Sequence, residues 1–72
     1  MRITYFPETD TLAIDLTDKP SADTDEIAEG VTVDYDAEGR VIGIDIENAA
    51  ARLDLTELIL TGFPGQTHRK SA

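Results

Sequence analysis

The sequence predicts an α+β fold: a four-stranded, mainly antiparallel sheet made of two hairpins, with one C-terminal helix packed on one face. Three observations carry that expectation. Apolar residues alternate with polar or small ones in four short runs, the signature of half-buried strands. Two turn-forming stretches, PETD at 7–10 and DAEG at 36–39, separate the paired runs. The period changes after Leu53, where Asp54 and Glu57 have the spacing of a capping box.

The first hairpin joins Ile3 and Tyr5 to Leu12, Ile14 and Leu16. A loop at 7–10 pairs Tyr5 with Leu12 and Ile3 with Ile14, which puts all four on one face. Pro7 suits an early turn position because its ring fixes φ near −65°. In the second hairpin, a four-residue loop at 36–39 pairs Tyr35 with Arg40, Val33 with Ile42 and Val31 with Ile44. A three-residue loop would instead set Asp34 against Ile42 and mix the faces. The two hairpins align at an offset of 30, with Tyr5, Glu8, Ile14 and Asp15 matching Tyr35, Glu38, Ile44 and Asp45.

Between the hairpins, DKPSADTDEIAEG (18–30) reads as a polar connection with a short edge piece at Glu26–Ala28. Asn48–Arg52 (NAAAR) suits a separate helical turn. The main helix is expected to start at Asp54 as N-cap, with Leu53 and Leu58 as a hydrophobic staple, and to end at Gly62 before Pro64. Its leucines and isoleucine cover it almost all round, so Leu60 and Phe63 are expected to add to a dimer or partner surface. The chain thus divides into one domain at 1–63 and a mobile tail at 64–72.

A chain of 72 residues buries only about 60% of its unfolded surface, and without cysteine it has no disulfide to reinforce it. Oligomerisation or a bound partner is the remaining common remedy, and a homo-oligomer is expected. The net charge of −9 repels phosphates, so neither nucleic acid nor an anionic membrane is an expected partner. A basic protein partner suits that charge. No stretch approaches the ~20 apolar residues of a membrane span, and the N-terminus does not read as a signal peptide, so a soluble cytoplasmic protein is expected.

DYDAEGRVIGID (34–45) tests for chemistry. Its acids and Gly39 fall on calcium-loop positions, but that motif needs a helix on each side, and these flanks alternate as strands. An acidic hairpin is the expectation. The face away from the core carries Asp15, Asp34, Asp45 and Glu47 with no base, so these four form a candidate cation cluster. His68 stands in the tail with no acid at fixed spacing, and the serines lie in polar loop or tail sequence. No nucleophile–base arrangement or phosphate loop is visible, so neither enzymatic activity nor a cofactor is expected.

YFPETDTLAIDL (5–16) resembles the opening motif of a small bacterial family, domain of unknown function 2283. GVTVDYDAEGRVIGIDIENA (30–49) looks like its second motif: an alternating strand, an acidic glycine turn and an isoleucine-rich strand. Phe6 replaces the usual acid after the tyrosine, and Ala13 stands where an aromatic is common. The resemblance covers about residues 2–53 and implies a compact ββββα domain with no agreed activity and no catalytic residue to carry over. Members are often encoded beside small toxin-like proteins, which implies an antitoxin or adaptor role with a toxin as the basic partner. A divalent-cation-binding module is the alternative.

Overall fold

A computed structural model of the chain describes residues 1–65 and 69–71. Six strands and one helical turn precede a short last strand: β1 Arg2–Phe6, β2 Thr11–Asp15, β3 Asp23–Ala28, β4 Val31–Tyr35, β5 Val41–Glu47, α1 Ala49–Arg52, β6 Glu57–Ile59 and β7 Arg69–Ser71. β1 to β5 form one antiparallel sheet in the order β1-β2-β5-β4-β3. The sheet therefore has five strands rather than the four expected. Among the described residues no helix is long and apolar enough to cross a membrane.

The first hairpin pairs Tyr5 with Leu12 and Ile3 with Ile14, as the alternation requires. Its four-residue loop ends at Asp10, which adopts the left-handed region at φ 52°. That loop end holds α1. The Asp10 carbonyl accepts from Ala49 N at 3.0 Å. Its Oδ1 accepts from Ala50 N at 3.0 Å and from the Tyr5 hydroxyl at 2.7 Å. Ala49 is fully buried at this junction. Asp10 thus satisfies the amides that a helix start leaves open, from 40 residues away in sequence.

The second hairpin departs from the expected register. Asp36 N donates to Arg40 O at 2.9 Å, which closes a loop of three residues, 37–39, not four. Continued regularly, that register would bring Asp34 against Ile42 and mix the faces. Instead Tyr35 pairs with Val41 while Asp34 pairs with Gly43, so Ile42 is an extra residue on β5. Beyond this bulge Val33 pairs with Ile44 and Val31 with Ile46, each two residues from the expected partner. A shift of two leaves every side chain on its intended face.

The Asp36 carboxylate builds this turn. Oδ1 accepts from the Glu38 and Arg40 amides, both at 2.9 Å, while Oδ2 lies 3.9 Å from Lys19 Nζ. The side chain is buried. Donation from Arg40 N, helped by Glu38 N and the charges of Lys19 and Arg40, holds the carboxyl below its ordinary 3.8 against the opposing effect of burial.

β3 spans six residues, all exposed, where a polar connection with only a short edge piece was expected. An edge strand needs no apolar alternation: it pairs through its backbone on one side only. Asp23, Asp25 and Glu26 also protect that edge from further pairing.

The C-terminal third corrects the largest expectation. The helical turn at Ala49–Arg52 is present, but there is no helix from Asp54 to Gly62. Asp54 Oδ1 accepts from Thr56 N at 3.0 Å and from the Thr56 hydroxyl, a local turn that competes with capping Glu57. Glu57–Ile59 instead pairs with Arg69–Ser71 as a separate two-stranded sheet. A helix of two turns without tertiary support does not offset its nucleation cost. Arg69–Ser71, part of the expected tail, is thus a strand.

Among the described residues, therefore, no long helix covers the apolar face of the sheet. That face carries Ile3, Tyr5, Leu12, Ile14, Val31, Val33, Tyr35, Ile42, Ile44 and Ile46, of which only Val33 and Ile42 are buried. Each of those two burials contributes about 1.5–3 kcal/mol.

Two outcomes test the turn. Gly39 has φ +79° and open space where a Cβ would stand. Gly39→Ala therefore carries only the left-handed backbone cost of about 1 kcal/mol, lowering Tm by about 4–8 °C; Gly39→Asn should lower it less. Asp36→Ala should lower Tm at neutral pH. Because the native carboxyl is shifted down, its contribution is present above 3.8 and is lost as pH falls through the folded value. Melting curves of wild type and variant should therefore converge in acid.

Candidate functional site

Alternation along β2, β4 and β5 sends their polar residues to the face opposite the isoleucines. Register then decides which of them meet. Across one row Arg2, Asp15, Gly43, Asp34 and Thr24 are successive neighbours. Across the next row stand Thr4, Ala13, Asp45, Thr32 and Glu26. Asp15 and Asp34 therefore flank Gly43, with Asp45 diagonal to both. Glu47, the fourth member of the expected cluster, pairs with Thr11 one row further on. Arg2 also belongs to this face, opposite Asp15, so the face is not free of base as expected.

Gly43 makes the arrangement fit. A Cβ at Gly43 would lie 3.3 Å from Asp34 Oδ2 and 3.4 Å from the Ile14 carbonyl oxygen. Asp34 Oδ1 accepts from the Thr24 hydroxyl at 2.8 Å, which fixes the carboxylate over the glycine. Asp45 is half-buried. Its carboxyl is pushed above 3.8, first by burial and then by the charges of Asp34 and Asp15. The charges of Asp34 and Asp15 are thus close enough to oppose the ionisation of Asp45. Yet among the described residues no group of three or more His, Asp or Glu side chains is gathered closely enough to hold a metal ion.

The other expected surface is not formed as foreseen. Leu60 is half-buried and Phe63 is 39% exposed, but both follow β6 in irregular chain rather than lying on a helix. His68 lies outside the described residues. A shallow groove of about 300 Å³ lies between the 19–22 and 36–38 segments. Its buried carboxylate, Asp36, is already committed to the turn and to Lys19.

Parity alone finds Asp15, Asp34 and Asp45. It does not find Gly43 or Thr24, whose roles need the sheet order. The signal for Gly43 was a glycine inside an isoleucine-rich strand, where close approach of another group is a standing reason.

Asp45→Asn tests the electrostatics. A raised folded value means that Asp45 favours the fold below 3.8 and costs stability once pH rises through the folded value. The variant should gain a few degrees in Tm at neutral pH and none at about pH 3. Equal gains at both would show packing rather than charge.

Residues 2–49 match the family described as "Protein of unknown function (DUF2283)", and the chain belongs to it. No curated protein and no solved structure matches the chain.

Proposed function

We propose that this member of the DUF2283 family is a non-enzymatic protein-interaction module, an adaptor or antitoxin in kind, that docks a basic segment of a partner protein on the face of Asp15, Asp34 and Asp45. The observation that carries the reading is the register that sets Asp15 and Asp34 on either side of Gly43 and Asp45 diagonal to both, where burial and then the charges of Asp34 and Asp15 raise the Asp45 carboxyl. The fold holds this charge at a cost, and a cationic side chain laid across the three acids would relieve it. The net charge of −9 attracts such a partner over distance and speeds its arrival.

The alternative is a divalent-cation module at Asp15, Asp34, Asp45 and Glu47. The spread of the carboxylates favours the protein partner. A metal ion needs its oxygens at about 2.0–2.6 Å around one point, whereas lysine and arginine reach acids spread over a surface.

A titration followed by NMR separates the two. An arginine- and lysine-rich peptide should shift the amides of Thr24, Asp34, Gly43 and Asp45 and bring the Asp45 carboxyl back toward 3.8. Replacing Asp15, Asp34 and Asp45 together by Asn should abolish those shifts. Millimolar calcium or magnesium should leave Tm unchanged. A marked rise in Tm with either ion would transfer the site to the cation reading, and silence of these amides toward the peptide would remove the docking proposal.

A further inference from the structure

The five-stranded sheet has two edges, β1 and β3, and the sequence treats them oppositely. β3 carries Asp23, Asp25 and Glu26, and its register shifts between Glu26 and Ala28. Acids and a bulge are the usual protections of an edge. β1 reads Arg2-Ile3-Thr4-Tyr5-Phe6, with one base and no acid, and it pairs with β2 through five successive residues without a break. In a chain of net charge −9, it is the edge of this sheet that lacks a carboxylate. Among the described residues no strand lies beyond it.

We propose that a second copy of this chain pairs along β1, antiparallel about a two-fold axis at Thr4, and doubles the five-stranded sheet. This goes beyond the acidic-face reading and uses a different surface. In that register Thr4 lies opposite Thr4 of the other copy, Ile3 opposite Tyr5, and Arg2 opposite Phe6. Ile3 and Tyr5 are 40% and 41% exposed on the apolar face. Set against each other, they join the two apolar faces into one. Phe6 is 47% exposed on the other face, where Arg2 of the second copy would lie against its ring. The contact is self-complementary, so it closes at two copies.

Neighbouring registers are poorer. An axis at Ile3 leaves Phe6 without an opposite. An axis at Tyr5 brings Pro7, which has no amide hydrogen to donate, into the ladder opposite Ile3. Pairing β1 with β3 of another copy would match charge, but it meets the β3 bulge and leaves a free edge at each end, so it would grow into filaments.

The chain contains no cysteine, so a single introduced thiol reports on the contact. Directly opposed strand residues have Cα atoms about 4.5–5.5 Å apart, within disulfide range. Sedimentation equilibrium of the native chain should give twice 7.8 kDa. Under mild oxidation, Thr4→Cys should cross-link at least about tenfold faster than Ile27→Cys on β3. Arg2→Glu should weaken the dimer about tenfold with an unchanged circular dichroism spectrum. A native monomer at about 100 µM, assemblies larger than two, or equal cross-linking at Ile27 would each overturn the proposal. Thr4→Cys leaves the three carboxylates in place, so failure here and failure of basic-peptide docking are read separately.

Discussion

The central register of the sheet is set by one carboxylate. Asp36 accepts from two amides of its own loop and pulls the chain into a turn one residue shorter than alternation alone favours. That turn is locally good and globally wrong, because carried down the ladder it would oppose Asp34 to Ile42. The bulge at Ile42 resolves the conflict by absorbing one residue. The bulged residue Ile42 is itself one of the two buried residues of the apolar face, at 6% exposure. Local hydrogen bonding and global segregation of faces are therefore both satisfied, at the expense of one interrupted ladder position. Since β5 also pairs with β2, the same bulge sets which residues of β4 share a row with β2, and so brings Asp34 into line with Asp15 across Gly43.

Much of this was legible, and the rest was hidden for identifiable reasons. The first hairpin could be read because its loop length and its face parity agree. In the second they disagree, and parity alone finds the right faces with partners two residues away. β3 was hidden because an edge strand made of acids has no apolar period to detect. The C-terminal helix was misread because Asp54 and Glu57 have capping spacing, while Thr56 offers Asp54 a nearer donor. Capping residues describe how a helix begins only when packing first makes the helix worthwhile.

The candidate site shows the same division. Asp15, Asp34 and Asp45 could be placed on one face by counting, because counting gives parity. Glu47 shares the parity but not the neighbourhood, and only the sheet order separates the two. Gly43 and Thr24 acquire their roles from strands far away in sequence. The glycine makes room for a carboxylate from β4, and the threonine on β3 holds it. An acidic face is thus a property of composition, whereas two acids placed so that they oppose the ionisation of a third are a property of topology.

Repetition ties these features together. The pairing repeats at the offset of 30 about the paired Ile14 and Ile44, Ile3 with Ile14 matching Val33 with Ile44, until the bulge breaks it at Tyr35. Ala13 meets Asp45 on one side of that pair, and Asp15 meets Gly43 on the other. If both hairpins were identical, the sheet would end in equivalent edges at β1 and β4. The chain breaks that equivalence by adding the acidic β3 beyond β4 and, among the described residues, no strand beyond β1. One side of the sheet is thereby closed to further pairing and the other left open. A sheet with one protected edge and one bare, uncharged-to-basic edge has a direction in which to associate, and a closed pair is the simplest continuation.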